Sequence, residues 1–435
     1  MRLGTLPASL ANARAYADNP IAFYRSLSGA GGGFGAVVRF EFFGPHVLIN
    51  DPELVAAVLS SPSGGGFNKD GLRFFAVVRR VTGDGLFSID GPRHLERRRR
   101  VEPGLRWGVL RRTAGTGAMS RMAERMRAEL VASTGQVVDV ADVAGRAVLD
   151  LLAEALAGPA LAEPVRELGR LFEQAEPHLL RVLQAPVVFP GWVPTPNNRR
   201  LARAAAAFRD RAAELLRTGG YPPDSLLGRL QDRGVEPRHL LDELVTFVVG
   251  GHQSTAAAVG FALYLLAAYP DEAELVAREA DQVLRGRAAT ADDLPALPRT
   301  GMVVAESLRL YPPVWIIMRR MAGSRELPGW RLSPGTTVHI SPHTLHRNPR
   351  YWPEPDAFRP DRFADPGAGH RFAYAPFGGG PHKCVGNHFA LMATAIVIAT
   401  VAQAVRLGPP AAAPVVSARS FTVPVGGIPL PVGRR

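Results

Sequence analysis

The sequence predicts a mainly α-helical protein with a minor β part, organised as a single domain over residues 1–435. Stretches rich in Ala, Arg and Leu dominate residues 92–216, and their length and composition are typical of helices. A segment without formal charge, residues 244–269, predicts a helix at the centre of a large core. Strand and turn signals are confined to shorter segments, and no repeat or polar linker divides the chain.

The N-terminal part predicts a mixed start to the fold. Residues 10–27 have a helical composition, and residues 36–50 hold two runs of strand-forming residues separated by the turn signal Gly44-Pro45. Asp51 is placed to cap a helix that ends at Leu59. Residues 61–84 show no clean period, so we expect a long loop with short helical pieces.

The rest of the chain predicts a helical series followed by a strand-rich part. We expect short strands over residues 314–340, a Pro- and aromatic-rich meander over 348–377, and a final hairpin over 421–432 that turns at Gly426-Gly427. The helices are predicted at residues 92–216 with a break at 184–198, and then at 236–269, 271–284, 298–311 and 386–405.

Charge and cysteine content narrow the class of protein. The formal net charge is +12, and of the 51 basic residues only Lys69 and Lys383 are lysines. Such a surface suits nucleic acid, anionic lipid or an acidic protein, or is a solvated arginine surface without a partner. A single cysteine excludes an internal disulfide and a cysteine-based zinc site. We see no signal peptide or membrane anchor in the first residues, and the polar centre of residues 244–269 argues against a membrane span.

The sharpest chemical signal surrounds that one cysteine, in the segment Phe377-Gly378-Gly379-Gly380-Pro381-His382-Lys383-Cys384-Val385-Gly386. A glycine-rich loop precedes Cys384 and an apolar helix is predicted after it. Amides at a helix N-terminus lower the pKa of a thiol, and glycines let the backbone approach a large planar ligand. A buried structural cysteine and a catalytic nucleophile are the alternatives.

Two further segments place charges on helices. Glu306 and Arg309 share a helix face, which by itself indicates an ordinary surface ion pair. His94 and Arg98 also share a face, within the run Asp90 to Arg100, which read alone is a nucleic-acid patch or a solvated surface.

The predicted central helix has a polar middle, Gly250-Gly251-His252-Gln253-Ser254-Thr255. Two glycines and two hydroxyls there could bend the helix and open a groove beside a ligand. A tolerated site of close helix packing is the alternative.

In this order and at this spacing, the segments resemble those of the cytochromes P450, and the resemblance covers nearly the whole chain. It implies a triangular, mainly helical domain with small β-sheets and haem b as cofactor, with Cys384 as the thiolate ligand of the iron. It also implies a buried network in which Arg362 locks the Glu306–Arg309 pair. Contacts to haem are implied for His94, Arg98, Arg319, Phe377, Gly378, His382, Cys384 and Gly386.

Two positions depart from the family's pattern. His382 stands where an arginine is usual, so it would be only partly cationic at neutral pH. In the oxygen-binding segment, which begins with Gly250 and Gly251, Gln253 replaces an acid and Ser254 replaces a threonine, with Thr255 next. We therefore expect Ser254 to carry the proton relay, and Thr255 to substitute only if the helix bends.

The implied reaction inserts one oxygen atom from O2 into a lipophilic small molecule, of terpenoid, polyketide or fatty-acid-like type. Electrons would come from NAD(P)H through an acidic ferredoxin and a ferredoxin reductase in the cytoplasm. Substrate contacts are expected from residues 74–87, Phe247, Val248, Gly251, Val314, Trp315, Ile316 and Phe421. Three alternatives stay open: a haem-thiolate enzyme with peroxide-driven, coupling or rearrangement chemistry, a non-catalytic haem-binding protein, and, more distantly, a nucleic-acid binder.

Overall fold

The computed structural model describes the chain except residues 1–4, 7–11, 13–14, 17, 30–34, 42–43, 64–65, 113, 185–188, 324, 366–369 and 418–422. Helices dominate the described part, which agrees with the predicted class. They are α1 Pro20–Gly29, α2 Pro52–Leu59, α3 Arg73–Thr82, α4 Gly91–Val101, α5 Trp107–Leu110, α6 Ala114–Ala132, α7 Val140–Ala157, α8 Ala162–Gln184, α9 Pro196–Thr218, α10 Leu226–Asp232, α11 Pro237–Ala268, α12 Pro270–Leu284, α13 Pro298–Leu310, α14 Pro342–Leu345 and α15 Asn387–Ala402.

The strands form small sheets at the edge of the helical part. The strands are β1 Thr5–Leu6, β2 Val37–Glu41, β3 Pro45–Ile49, β4 Phe67–Asn68, β5 Val137–Asp139, β6 Ile317–Met321, β7 Arg325–Leu327, β8 Trp330–Leu332, β9 Thr337–Ile340, β10 Val405–Leu407, β11 Val415–Ser417, β12 Val423–Val425 and β13 Pro429–Arg434. The largest described sheet has the strand order β1-β2-β3-β9-β6-β4, and three smaller sheets are β10-β13-β5, β11-β12 and β7-β8.

The predicted hairpin and the helix after it are confirmed. β2 and β3 pair antiparallel from Val37 opposite Ile49 to Glu41 opposite Pro45. The Asp51 carboxylate then accepts hydrogen bonds from the amides of Glu53 and Leu54, which satisfies two of the free donors at the start of α2.

A large apolar core fixes the central helix. α11 packs against α7, α13 and α15, and its buried residues include Leu244, Val248 and Phe261. Because α11 is apolar on several sides, it can run through the middle of the molecule. The predicted helix over 236–269 is thus confirmed as an uninterrupted α11, and the glycines do not break it. Among the described residues, no helix combines the length and apolarity that crossing a bilayer requires.

Among residues 10–27, the described residues 12, 15, 16 and 18 are helical and α1 follows from Pro20, so the predicted helical character is confirmed for the described part. Two other local predictions differ from the structure. Residues 73–82 form the regular helix α3 inside the predicted loop, because its buried residues Phe75, Val77, Val78 and Val81 pack onto neighbouring helices. The predicted C-terminal hairpin is wrong: β12 pairs with β11, whereas β13 pairs with β10 and β5, so Gly426-Gly427 connects two different sheets.

Candidate haem-thiolate site

The Cys384 loop is shaped by short backbone hydrogen bonds. The Cys384 amide donates to the Phe377 carbonyl at 2.9 Å, and the Gly378 amide donates to the Ala375 carbonyl at 3.1 Å. Gly380 has a φ of 62°, and a Cβ there would lie 1.9 Å from the Leu59 carbonyl oxygen. Only glycine fits at that position. Gly386 caps α15, so the loop presents Cys384 just before a long buried helix, as predicted.

The environment of the thiol differs from the prediction of a lowered pKa. Burial raises the pKa of Cys384, while the Gly386 backbone amide and the charges of Arg98 and Lys383 act in the opposite direction. The residue nevertheless has substantial accessible surface, since it faces a cavity of about 700 Å³. The thiol is therefore removed from bulk solvent but open to a ligand, and a bound metal ion would deprotonate it.

A buried charge network supports this loop, as the sequence predicts. The side chains of Glu306 and Arg309 have no accessible surface, and two hydrogen bonds of 2.6 and 2.7 Å join them. Arg362 donates to Glu306 at 3.3 Å from the segment after Phe358. Arg309 also donates to the carbonyls of His346, Pro355 and Ala357, so the guanidinium ties α13 to the meander. The predicted roles of all three charged residues in this network are confirmed.

His346 connects the network to the cysteine loop, and the sequence analysis missed it. Its Nδ1 lies 3.2 Å from the Arg309 carbonyl, and its Nε2 accepts from the Ala375 amide at 2.9 Å. Burial and the neighbouring Arg309 lower the pKa of His346 to about 3, so the ring is neutral at neutral pH. A neutral ring with a proton on Nδ1 satisfies both contacts. His346 therefore couples the position of α13 to the start of the Cys384 loop.

Buried cations collect at one end of the cavity. Arg319 is 7% exposed, and within the described residues its guanidinium donates only to the Met318 carbonyl, at 2.8 Å. Lys69 is 6% exposed and donates to the Phe87 carbonyl at 2.9 Å. Burial lowers the pKa of Arg319 to about 10 and that of Lys69 to about 7. The Asp90 carboxylate acts in the opposite direction on both groups, but one carboxylate beside two buried cations leaves a positive excess. Because uncompensated buried charge is costly, this end of the cavity suits a ligand with carboxylates.

Arg98 joins the same cavity wall, as predicted, and reaches the cysteine loop. Its Nη1 donates to the Lys383 carbonyl at 2.6 Å, while its Nε donates to Glu102 at 2.9 Å. Arg98 thus fixes the residue before Cys384 and leaves further donor capacity toward the cavity. Of these three cations, Lys69 was not found from the sequence, because it lies in residues 61–84, which show no clean period and were expected to form a long loop with short helical pieces.

His94 and His382 lie in the cavity wall, where His382 contacts Asp90. Its Nε2 lies 3.0 Å from Asp90, whose carboxylate also accepts from the amides of Lys69 and Gly91. Burial lowers the pKa of His382 to about 4 and that of His94 to about 3, so both rings are neutral at neutral pH. When His382 donates to Asp90, its Nδ1 can only accept. With this proton arrangement His382 offers no free donor, and its expected contact with a haem carboxylate stays a prediction.

The polar middle of α11 divides between its two faces. Gly251, Ser254 and Thr255 lie in the wall of the Cys384 cavity, and the Ser254 hydroxyl donates to the Gly250 carbonyl at 2.7 Å. Thr255 reaches this wall from a helix that is not interrupted. Gln253 faces away and donates to Glu176 at 2.6 Å. Gln253 is therefore not among the residues that meet the cavity.

The remaining cavity wall is apolar. Phe74, Phe75 and Phe87 come from α3 and the segment after it, and Val314, Trp315 and Ile316 come from the segment before β6. On α11, Phe247 lies in the wall as expected, but Val249 replaces the expected Val248, which is fully buried in the core. Phe421 lies outside the described residues. The wall supports the expectation of an apolar ligand.

One cavity thus brings together a cysteine thiol, buried cations and an apolar wall. This combination defines the site of a haem-thiolate protein. Comparisons with known proteins agree. The sequence model of the family "Cytochrome P450" matches residues 26–425, so the chain belongs to the cytochrome P450 family. The cofactor that this family and fold imply is haem b. The donor set fits that group, because Cys384 can hold its iron and Lys69, Arg98 and Arg319 can hold its two carboxylates.

Relatives at full length support the same family. Cyclooctat-9-en-7-ol 5-monooxygenase of Streptomyces melanosporofaciens is 33% identical over 432 residues, which cover 93% of this chain and 90% of that protein. Cyclooctatin synthase of the same organism is 29% identical, with 84% and 81% covered. The crystal structure of CYP175A1 from Thermus thermophilus is 26% identical, with a TM-score of 0.80 and coverage of 99% and 100%. The chain is a cytochrome P450 monooxygenase.

Proposed function

We propose that this chain, as one haem domain over residues 1–435, inserts one oxygen atom from O2 into a terpenoid. The observation that carries the proposal is the single cavity that joins the Cys384 thiol to the Ser254 hydroxyl behind an apolar wall. Its size, about 700 Å³, suits a lipophilic molecule placed above a cofactor. The relative at 33% identity is a monooxygenase of cyclooctat-9-en-7-ol, a cyclic hydrocarbon alcohol, which supports a terpenoid over a polyketide or a fatty acid.

The site residues divide the work of binding and proton transfer. Bound haem supplies the iron at which O2 is reduced with electrons from an external donor. In our proposal Cys384 holds the iron as a thiolate, while Phe377, Gly378 and Gly386 shape the loop that carries it. Ser254 holds a proton on the cavity side of α11, with Thr255 as the next hydroxyl. The apolar wall binds the substrate and excludes water.

A labelled-oxygen experiment tests this function. The purified protein is first titrated with cyclooctat-9-en-7-ol, a macrolactone and a fatty acid, and the haem optical spectrum is recorded. Of these three ligands, we expect only the terpenoid alcohol to shift the Soret band, because a bound ligand displaces water from the iron. With surrogate ferredoxin, reductase, NADH and isotope-labelled O2, the product should gain one labelled oxygen atom. Oxygenation of the fatty acid or macrolactone alone would contradict the substrate class, and turnover that requires added peroxide would favour the alternative chemistry.

We also propose an acidic ferredoxin and its NAD(P)H-dependent reductase as electron donors, in the cytoplasm where that nucleotide pool lies. The proposal rests on basic residues around the outer side of the cysteine loop. Lys383 is exposed there, and Arg106 precedes Trp107, whose ring centroid lies 6.2 Å from that of His388 in the first turn of α15. Arg99, Arg106 and Arg112 are exposed and form no ion pair within the described part of the chain. This face suits an acidic partner.

We expect ferredoxin-supported reduction to slow as salt rises, because surface charges are screened over about 8 Å at physiological ionic strength. Arg106→Glu should lower the second-order reduction rate several-fold at low salt and weaken its salt dependence. Arg217→Glu changes the charge equally at an exposed position on α9 and serves as the control. For each variant, stopped-flow reduction under carbon monoxide at several salt concentrations measures the second-order rate and its salt dependence. Equal rates for the two variants would show that this face does not receive the ferredoxin.

A further inference from the structure

α11 separates two cavities of different character. One side meets the apolar Cys384 cavity. The other side, through His252 and Gln253, meets a cleft of about 800 Å³ whose wall includes Arg146 and Asp150 of α7 and Arg170 of α8. Charged groups in such a cleft keep water there. The polar middle of α11 is therefore the place where solvent comes within one helix diameter of the proposed site of oxygen reduction.

Two buried acceptors face this cleft without a donor in the described part of the chain. His252 Nε2 lies 3.0 Å from the Gly145 carbonyl and must donate to it, and burial lowers the pKa of His252, so its Nδ1 is an acceptor at neutral pH. That Nδ1 lies 4.0 Å from a Glu173 oxygen and has no hydrogen-bond partner. Gln253 Oε1 is buried and unpartnered as well. Buried acceptors are normally hydrogen-bonded, so these two unpartnered atoms on adjacent residues indicate water molecules between them and the cleft.

Glu176 brings a carboxylate to this position from another helix. Its Oε2 accepts from Gln253 Nε2 at 2.6 Å, a short bond of the kind that charged acceptors make. Glu176 is half-buried and lies one helical turn beyond Glu173, on the same side of α8. Gln253 itself cannot titrate near neutral pH, so the carboxylate beside it is the group that can exchange protons there.

We propose that Glu176 supplies protons across α11 to the Ser254 hydroxyl, with water in the cleft as their source and Gln253 as the positioning residue. The inference rests on the proposed monooxygenase function. In that reaction O2, two electrons from the external donor and two protons give one oxygen atom in the product and one water molecule. Glu176 takes a proton from cleft water and passes it through water at Gln253 Oε1 to Ser254, and is then reprotonated from the cleft.

A pair of variants separates the carboxylate from the hydrogen bond. Glu176→Gln keeps the size of the side chain and removes the carboxylate. The double variant Glu176→Gln/Gln253→Glu returns a carboxylate to the pair and preserves an amide-to-carboxylate hydrogen bond. Glu167→Gln makes the same change elsewhere on α8, where Glu167 pairs with Arg211 on the surface, and serves as the control.

The main readout is the fraction of consumed O2 that leaves as hydrogen peroxide, since release as peroxide needs two electrons and two protons whereas full reduction to water needs four of each. The assay uses NADH with surrogate redox proteins and needs no substrate, so it stays informative if the terpenoid proposal fails. We expect Glu176→Gln to raise the peroxide fraction several-fold, the double variant to return it close to the wild-type value, and Glu167→Gln to leave it unchanged.

A second readout uses resting protein labelled with nitrogen-15 at glutamine. The Gln253 side-chain signal should move in Glu176→Gln, which tests the bond without turnover. A wild-type peroxide fraction in Glu176→Gln overturns the inference. A high fraction that persists in the double variant also overturns it, because a carboxylate hydrogen-bonded in this pair would then fail to supply the protons.

Discussion

Cys384→His is expected to abolish the red-shifted Soret band of the reduced protein with carbon monoxide and to reduce monooxygenase turnover to background. The thiol is the only group of its kind in the chain, and it faces the cavity from the end of a loop that glycine backbone geometry fixes. A thiolate ligand raises electron density at haem iron, whereas an imidazole ligand gives the spectrum typical of globins and peroxidases. Optical spectra of the reduced protein before and after addition of carbon monoxide measure the change.

Lys383→His provides the matched control, because it adds an imidazole to the same loop and keeps the thiol. Lys383 is exposed and holds Arg98 through its backbone carbonyl, which the substitution leaves in place. We expect its spectrum to match that of the wild-type protein. A red-shifted band that survives in Cys384→His would show that another group ligates the iron, and the haem-thiolate assignment would fail.

The parts of the site that the sequence predicts are those whose residues are close along the chain. The loop from Phe377 to Gly386 and the Glu306–Arg309 pair have fixed short spacings, so a helix or a turn places their side chains with little freedom. The hairpin of β2 and β3 was predictable for the same reason. Local geometry thus makes the Cys384 loop and the Glu306–Arg309 pair of the charge network predictable from the sequence.

Other site residues depend on contacts between distant segments. Lys69, His346 and Glu176 carry no local signal, because each acquires its role from a partner on another element. The C-terminal segment also depends on distant contacts: the sequence indicates a turn at Gly426-Gly427, but tertiary packing places β12 and β13 in different sheets. His382 matches the family's position along the chain, but its contact with Asp90, whose carboxylate also caps α4, cannot be read from local spacing.

Glu306→Ala is expected to yield little soluble, haem-loaded protein. The variant leaves the Arg309 guanidinium buried at 0% exposure without its carboxylate, and breaking one partner of a buried pair costs about 3–5 kcal/mol of the free energy of unfolding. It also removes the acceptor of Arg362 and of the Arg359 amide. Urea unfolding and haem content per polypeptide measure the loss. Glu163→Ala disrupts an exposed pair with Arg166 at the same helical spacing and should change neither quantity.

Arg309→Lys separates charge from geometry in the same network and should also lower the haem content, although the positive charge is kept. Arg309 makes five hydrogen bonds, two to Glu306 and three to the carbonyls of His346, Pro355 and Ala357. A lysine ammonium has three donors and no planar fork, so at least two of these five hydrogen bonds are lost. The His346 carbonyl belongs to the residue that holds the Ala375 amide, so the disturbance reaches the Cys384 loop. Wild-type unfolding and haem content in Arg309→Lys would mean that charge alone stabilises the network.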